Sequence, residues 1–377
     1  MAVPIHLIEP APSALAPDGP AHDSYGRRIN YLRISLTDRC NFRCFYCMPA
    51  GAIQFAPPPE LLTNAELARL MPILARAGFE KIRLTGGEPT LRRDLVALVE
   101  SIAATPGIKE VSMTTNALRL RELAGPLRAA GLSRLNISID SLDAERFRRI
   151  TRGGDLARVW AGIEAAEAAG LTPLKLNCVV VRGVNDDEVI DLARLTIDRP
   201  WSMRFIEVMP LVGVADVADG GVVPSAELIE RIENELGIEF MGWYGADPAR
   251  TYRVPGAQGT LGFISSVSDP FCSTCNRMRL TADGKLHLCL LRDNEVDLRD
   301  ALRSGAGDDE IEAIIRHAVW VKPWGHGLPQ VIGQLHGYPS LFCCPDPSRS
   351  MPPAATMAPT TSKNDRTESS DPLRSCL

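Results

Sequence analysis

The feature that most limits the possible folds of this chain is an alternation of strand-like and helix-like segments between Asp23 and Met209. Strand candidates lie at residues 31–37, 81–85, 110–116, 133–140, 173–181 and 202–209. Helical patterns lie between them, at residues 63–77, 92–103, 119–130, 143–150 with 155–169, and 186–197. Strands that are joined through helices form parallel sheets with right-handed crossovers. The sequence therefore predicts an α/β fold whose parallel sheet closes, fully or in part, into a barrel.

The predicted strands alternate polar and apolar residues, whereas strands of parallel sheets are usually apolar throughout. The polar positions are Arg33, Ser35, Thr37, Lys81, Arg83, Thr85, Ser112, Thr114, Asn116, Asn136, Ser138, Asp140, Lys175 and Asn177. Because side chains along a strand have a period of two, these residues share one face of the sheet. Helices would cover the other face, so we expect the polar face to line a cavity. A sheet with one face in bulk water is the alternative, and it fits the crossover helices poorly.

Several residues on this polar face are cations, namely Arg33, Lys81, Arg83 and Lys175. Buried cations need partners, and Asp140 alone cannot neutralise four of them. Arginine side chains match phosphate oxygens in geometry as well as in charge. The pattern therefore predicts a phosphorylated ligand in the cavity.

Six of the ten cysteines fall into two groups: Cys40, Cys44 and Cys47, and then Cys272, Cys275 and Cys289. The first group has C-x3-C-x2-C spacing, and the second has C-x2-C-x13-C spacing. Thiolates suit iron–sulfur clusters, zinc or copper. A cubane cluster usually takes four cysteines, so three would leave one iron open to a ligand that is not protein. Zinc is the alternative for both groups, with His287 as a fourth ligand in the second.

The remaining sequence predicts the domain organisation. Residues 1–22 are rich in Ala and Pro, and this composition predicts a disordered N-terminal arm. Residues 23–210 would form the barrel, and residues 211–328 a second region of α+β type. That region begins with a loop, continues with a helix from Ser225 and contains a hairpin turn at Asp283-Gly284. Residues 329–377 are atypical and read as a disordered tail, which holds the unexplained Cys343, Cys344 and Cys376.

Composition excludes some classes of function. The net charge of −5 argues against a nucleic-acid partner. No apolar run is long enough to span a membrane, and no signal peptide pattern is visible, so we expect a cytoplasmic protein.

Cys178 lies in an apolar strand, and this position predicts a core residue.

Three motifs resemble those of a known family. Residues 36–44 carry the first two cysteines of the first group, and Tyr46 precedes the third. Residues 82–89 end in Gly86-Gly87-Glu88-Pro89, and residues 271–275 read Phe-Cys-Ser-Thr-Cys. The first cysteine group resembles the radical S-adenosylmethionine superfamily. The three motifs together resemble the GTP 3′,8-cyclases of molybdenum cofactor biosynthesis, over about residues 26–326.

This resemblance implies an incomplete TIM-type (β/α)6 barrel, whose open side is closed by a C-terminal α+β region with a second cluster. It implies two 4Fe-4S clusters, held by Cys40, Cys44 and Cys47 and by Cys272, Cys275 and Cys289. S-adenosylmethionine would contact Tyr46, Gly87, Ser138 and Met209. GTP would contact Arg33, Lys81, Arg83, Thr114, Lys175, Arg277 and Arg279. Of these, Arg277 and Arg279 would also be catalytic.

The reaction that the resemblance implies is a radical cyclisation. A 5′-deoxyadenosyl radical would remove the hydrogen from C3′ of GTP, and C3′ would then bond to C8 of guanine. The product would be (8S)-3′,8-cyclo-7,8-dihydroguanosine 5′-triphosphate. The implied partners are an electron donor, a second copy in a homodimer and cyclic pyranopterin monophosphate synthase, which would receive the product.

The C-terminus departs from the family, whose members end in a Gly-Gly pair that supports catalysis. The last fifty residues of this chain contain no such pair. Three alternatives therefore stay open: another radical enzyme with an auxiliary cluster, a catalytically impaired cyclase homologue, and a non-enzymatic zinc protein.

Overall fold

The computed structural model describes residues 21–49, 51, 54–209, 221–292 and 294–325. Most of the predicted arm and the whole predicted tail, with Cys343, Cys344 and Cys376, lie outside these residues. The predicted domain boundary near residue 210 also lies outside them and stays a prediction. Ala21, at the end of the predicted arm, is buried, and its carbonyl oxygen accepts a hydrogen bond from the N–H of Ile29.

The described strands form one open sheet with the order β12-β11-β10-β1-β2-β3-β4-β5-β6-β9-β8-β7. Strands β1 to β6 are Tyr31–Ser35, Lys81–Thr85, Glu110–Thr115, Arg134–Ser138, Lys175–Val180 and Ser202–Glu207. Strands β7 to β12 are Glu239–Trp243, Arg250–Arg253, Thr260–Ile264, Arg277–Leu280, Lys285–His287 and Glu295–Asp297. The first six run parallel to one another. The α/β class and the incomplete barrel predicted from the sequence are confirmed.

The helices cover the apolar face of the sheet. Helices α1 to α5 are Asn64–Arg76, Leu95–Ala103, Leu120–Ala129, Ala144–Thr151 and Leu156–Ala168. Helices α6 to α9 are Val189–Asp198, Ser225–Leu236, Leu298–Arg303 and Asp308–Trp320. Thr63 and Glu66 form the capping box that begins α1. No helix in these ranges is both long and apolar enough to cross a membrane.

The strands of the C-terminal region extend the parallel sheet at both of its edges. Strand β9 pairs in parallel with β6, and β10 pairs in parallel with β1. Residues 265–276 connect β9 to β10 and carry two cysteines of the second group. The carboxylate of Glu207, at the end of β6, accepts hydrogen bonds from the N–H groups of Val267 and Ser268 at 2.9 and 2.8 Å. This connection therefore starts from a fixed point on the barrel.

Arg27 fixes the far end of the same connection. Its buried guanidinium donates to the carbonyl oxygens of Cys272, Pro323 and Trp324 at 2.7 to 2.8 Å. Asp23 pairs with its Nε at 2.6 Å. Since a buried charge is stable only when its donors are satisfied, Arg27 ties the start of the barrel to the second cysteine group.

Close packing of α3 against α5 gives a test of this architecture. A Cβ added at Gly162, in α5, would lie 2.2 Å from the carbonyl oxygen of Ala117. We expect Gly162→Ala to lower the free energy of unfolding by about 1–3 kcal/mol, because backbone must move to admit the methyl group. Gly125→Ala is the matched control within α3, where an added Cβ meets nothing within 4 Å. It should raise stability by about 0.5–1 kcal/mol. Urea unfolding of both variants would measure this, and equal effects would contradict the packing described.

Candidate active site

Strand register places arginines side by side on the polar face. Arg33 of β1 is paired in register with Arg83 of β2 on one side and with Arg279 of β10 on the other. Residues in register on neighbouring strands point to the same face. The addition of β10 to the edge of β1 therefore brings Arg279 into one row with arginines that lie far from it in the sequence.

This face lines a cavity of about 560 Å³. All the residues predicted to contact the substrate line it: Arg33, Lys81, Arg83, Thr114, Lys175, Arg277 and Arg279. The cysteines of the second group, Cys272, Cys275 and Cys289, line the same cavity. The structure thus brings together two sets of residues that the sequence presented separately.

Three further cations, which the sequence analysis did not identify, also line the cavity: Arg134, Arg204 and Lys322. Arg134 and Arg204 continue the period-two pattern of β4 and β6, so the same alternation could have found them. Arg134 is paired with Glu110 at 2.7 Å. Lys322 donates to the carbonyl oxygen of Leu288 at 2.6 Å, and no sequence pattern indicated its position.

Asp247 is the single acidic residue that lines the cavity in the described part of the chain. It lies in the loop between β7 and β8, and its carboxylate is 2.9 Å from Arg204 Nη2 and 3.4 Å from Lys175 Nζ. Burial alone would raise the pKa of Asp247, but Arg204 and Lys175 outweigh it and hold that pKa below its usual range. Arg277 donates to the neighbouring carbonyl oxygen of Ala246. This loop therefore contacts Lys175 and Arg277, two cations that the sequence analysis predicted to bind the substrate.

The pKa values of several cavity cations are lowered by burial and by the excess of positive charge in the cavity. Burial, followed by the charge of Arg204, lowers the pKa of Lys175 to about 8. Burial also lowers the pKa of Arg83 to about 10 and that of Arg279 to about 9. Repulsion between like charges adds to both shifts. A bound anion would relieve these costs, as the phosphorylated ligand predicted from the sequence would.

Unsatisfied polar atoms support the same reading. Arg33 Nε, Asn136 Oδ1 and Asn177 Oδ1 are buried without a hydrogen-bond partner among the described residues. Each such atom costs about 1–3 kcal/mol unless a ligand or water satisfies it. The cavity is therefore built for a polar occupant.

The first cysteine group lies in the loop that follows β1. The N–H groups of Arg43 and Phe45 donate to the carbonyl oxygens of Thr151 and Ile150, at the end of α4, at 2.9 and 3.1 Å. Phe42 N–H donates to Cys40 Sγ at 3.4 Å. The three thiols are thus presented by a short loop whose backbone is fixed to the barrel.

The glycine turn after β2 packs against this loop. The resemblance implies that Gly87 contacts S-adenosylmethionine, and the closest neighbour of both glycines in the structure is the cysteine loop itself. A Cβ at Gly87 would lie 2.1 Å from the carbonyl oxygen of Arg39. Glu88 N–H donates to that oxygen at 2.8 Å. The turn therefore sets the position of Cys40, and a contact of Gly87 with S-adenosylmethionine stays a prediction.

The donor set of the first group fits a cationic metal cluster. Burial raises the pKa of Cys40 to about 11 and that of Cys44 well above its usual value. Without a metal these thiols would stay protonated at neutral pH, whereas coordination deprotonates them outright. Three thiols from one loop leave room for an open iron, as the C-x3-C-x2-C spacing predicts.

The second group has different electrostatics. Burial alone would raise the pKa of Cys275, but Lys322 and Arg277 outweigh it and lower that pKa. His287, the alternative zinc ligand, lies 3.2 Å from Glu295 Oε2. Within the described ranges no three His, Cys, Asp or Glu side chains converge on a point as ligands of one ion would.

The predicted contacts for S-adenosylmethionine lie at or just beyond the carboxyl ends of the strands. Ser138 ends β4, Gly87 follows β2, and Met209 follows β6 and lines the cavity. Tyr46 Oη donates to Asp140 Oδ2 at 2.6 Å. Burial raises the pKa of Asp140 to about 6. Asp140 also accepts from the N–H of Val179 at 2.9 Å, so both its oxygens are used and it neutralises none of the cavity cations.

Two protein families match this chain. The Radical SAM superfamily matches residues 34–196, and the family described as Molybdenum Cofactor Synthesis C matches residues 201–328. The boundary between the two matches falls just before β6.

Several curated relatives are similar over most of the chain. The GTP 3′,8-cyclase of Moorella thermoacetica is 47% identical over 322 residues, which cover 84% of this chain and 99% of the relative. That of Nostoc punctiforme is 49% identical over 302 residues, 78% of this chain and 92% of the relative. Molybdenum cofactor biosynthesis protein moc-5 of Caenorhabditis elegans is 45% identical over 312 residues, 82% of this chain and 52% of the relative.

Among solved structures, Streptococcus suis SuiB bound to S-adenosylmethionine has a TM-score of 0.53 and 14% sequence identity. The match covers 78% of this chain and 68% of SuiB. At this identity it shows a shared fold.

Asp247 gives a first test of the cavity. We expect Asp247→Asn to bind inorganic triphosphate about tenfold more tightly, because the carboxylate competes with the ligand for Lys175 and Arg204. Calorimetry of both proteins would measure it. Asp269→Asn, which removes a carboxylate from the ion pair with Arg250 instead, is the matched control and should bind like the wild type. Weaker binding by Asp247→Asn would show that Asp247 holds the cations in place rather than competing for them.

The ionisation of Lys175 predicts a pH dependence. In the folded protein its pKa is about 8, below the ordinary value of 10.5. The ammonium is therefore present below pH 8 and is lost as the pH rises through this value. We expect affinity for triphosphate to fall about tenfold between pH 7 and 9. Lys175→Arg should make the fall smaller, because the ordinary pKa of arginine is higher than that of lysine, and a flat wild-type profile would contradict the assignment.

Proposed function

The chain belongs to the GTP 3′,8-cyclase family of radical S-adenosylmethionine enzymes, and from this membership we propose the reaction it catalyses. The enzyme converts GTP to (8S)-3′,8-cyclo-7,8-dihydroguanosine 5′-triphosphate, the first step of molybdenum cofactor biosynthesis. The observation that carries the proposal is that the cavity cations and the second cysteine group line one cavity. A substrate with a polyphosphate at one end and a purine at the other matches this arrangement.

The cationic end of the cavity holds the triphosphate. Arg33 and Arg83 are neighbours in register on β1 and β2, and Lys81 lies two residues before Arg83. Lys175 approaches from β5, on the opposite side of β3 and β4, and Thr114 lies between them on β3. Donors on several strands fix a ligand in position as well as in charge. The triphosphate thus anchors the ribose within the barrel.

The other end of the substrate meets the C-terminal region. Cys272, Cys275 and Cys289 would hold the second 4Fe-4S cluster, which would bind the guanine base. Arg277 and Arg279 project into the cavity from β10, immediately after Cys275, and contact the substrate between its two ends. Anchoring at both ends leaves little freedom for C3′ and C8, whose separation must shrink in the cyclisation.

Cys40, Cys44 and Cys47 would hold the first cluster, and Tyr46, Gly87, Ser138 and Met209 would hold S-adenosylmethionine. When bound, this cofactor and its cluster would supply the radical chemistry that removes a hydrogen atom from the substrate. Tyr46 is held in place by its hydrogen bond to the buried Asp140, which lies two residues after Ser138.

The same family membership suggests partners. We propose that two copies form a homodimer, that a separate protein donates the electrons, and that the product passes to cyclic pyranopterin monophosphate synthase. A cytoplasmic location follows from the substrate, because GTP is an intracellular nucleotide. Another radical enzyme with an auxiliary cluster is a weaker proposal, because the relatives that match most of this chain are GTP 3′,8-cyclases.

An anaerobic assay tests the function. The protein with both clusters reconstituted is mixed with GTP, S-adenosylmethionine and dithionite, and mass spectrometry follows the products. We expect 5′-deoxyadenosine and an isomer of GTP with unchanged mass, since the hydrogen atom removed is replaced by one electron and one proton. Arg279→Ala should reduce both products by about a hundredfold or more, whereas Arg128→Ala, on the outside of α3, should not.

A second arm of the assay adds a synthetic peptide that ends in Gly-Gly, because the given sequence has no such pair in its last fifty residues. Products without the peptide would show that this chain needs no supplement. Products only with the peptide would assign the impaired-homologue alternative. Neither product, from protein with two intact clusters, would refute the proposed function.

A further inference from the structure

A patch of arginines surrounds the first cysteine loop on the outside of the barrel. We call the α4 basic surface the set formed by Arg39, Arg43, Arg148, Arg149 and Arg152. Arg39, Arg148, Arg149 and Arg152 are exposed, and Arg43 is half-buried. Within α4, Glu145 is the one acidic residue. In a chain with a net charge of −5, this concentration of positive charge is a local feature.

The α4 basic surface is joined directly to the loop that carries the thiols. Arg152 Nη1 donates to the carbonyl oxygen of Met48 at 3.1 Å, and Arg43 Nη1 donates to that of Cys40 at 3.1 Å. The end of α4 accepts hydrogen bonds from the backbone of the loop, as described above. Cys47 is itself exposed. A protein bound to this surface would therefore lie next to the loop that carries the first cysteine group.

A shallow depression beside the loop has the composition of a docking site. Phe45, Ile150 and Val184 supply apolar side chains, and Arg146 and Arg149 lie at the same depression. An apolar centre with a charged rim is the usual anatomy of a protein interface. Interfaces of electron-transfer partners are small and weak, so a shallow site is sufficient.

The exposed arginines are not committed to other carboxylates. Among the described residues no acidic side chain forms an ion pair with Arg148, Arg149 or Arg152. Arg152 also has a positive φ of 51°, a conformation that costs little only for glycine. Cations at the C-terminus of α4 stabilise the helix dipole, and this role accounts for part of the pattern. It does not account for Arg39 and Arg43, which lie outside the helix.

We propose that the α4 basic surface docks a small, acidic, one-electron carrier protein that reduces the first cluster. The inference rests on the proposed function, because that reaction consumes electrons that must come from outside the chain. In each encounter the carrier is oxidised by one electron and the cluster is reduced by one, and no atom is transferred. Charge complementarity selects an acidic carrier and speeds its association. A basic carrier is excluded by the same charges.

The test compares two double variants that change the net charge equally. Arg148→Glu/Arg149→Glu alters the α4 basic surface. Lys109→Glu/Arg128→Glu alters residues at the opposite end of the barrel, where the strands begin. The probe is a plant-type [2Fe–2S] ferredoxin, an acidic carrier of low potential. Surface-immobilised protein, prepared without clusters, reports the association rate, and stopped-flow absorbance of the cluster-loaded protein reports electron transfer from reduced ferredoxin.

We expect the α4 double variant to lower both rates at least about tenfold at low ionic strength, with a smaller loss at high salt. The opposite-end variant should retain the wild-type rates. Reduction by dithionite, a small molecule, should be equal in all proteins. Arg148→Gln/Arg149→Gln should give an intermediate loss and guards against misfolding of the charge-reversed protein, as does a thermal unfolding scan.

Equal losses in both double variants, or no loss in either, would overturn the docking proposal. The proposed function would stand in that case if the wild type forms product with dithionite. If it forms no product with dithionite, the function fails, while the association rates still decide where an acidic carrier binds.

Discussion

The parallel pairing of β10 with β1 is the contact on which the site depends. It sets Arg279 beside Arg33 and joins the second cysteine group to the cavity. Arg27, from the segment just before β1, holds the same region through three carbonyl oxygens. Without this edge the barrel would keep the cations of β1 to β6 but would lack the cysteines and arginines that β10 and its neighbouring loops bring to the cavity. The two family matches meet near residue 200, at the parallel pair of β5 and β6, whereas β10 pairs with β1 at the opposite edge of the six parallel strands.

The concentration of charge in the cavity is a cost that folding must overcome. Burial, and then repulsion between neighbouring cations, lowers the pKa values of Lys175 and Arg83. Asp247 offsets it at one point, and unsatisfied atoms such as Arg33 Nε show where it is not offset. An anion that neutralises these cations removes their mutual repulsion, and this gain adds to the free energy of binding. Such a site favours ligands of high negative charge over smaller anions.

Much of this arrangement could be predicted because it follows from local periodicity. Alternation with a period of two placed Arg33, Lys81 and Lys175 on the inner face. What the sequence could not give was any residue whose position depends on tertiary structure. Asp247 lies in a loop with no periodic signal, and Lys322 reaches the cavity from the end of α9. The contact between Gly87 and Arg39 could not be predicted either, since only the folded chain shows that Arg39 lies against it.

The connection between β9 and β10 carries a geometric consequence. It starts at Glu207 on one edge of the parallel barrel and finishes at the other edge, where Arg27 anchors it. Residues 265–276 therefore link the two edges of the open parallel sheet through a segment of limited length. The same segment carries Cys272 and Cys275, which line the cavity. A change in its length would therefore alter two things together: the closure of the sheet and the position of the second cysteine group relative to the cations.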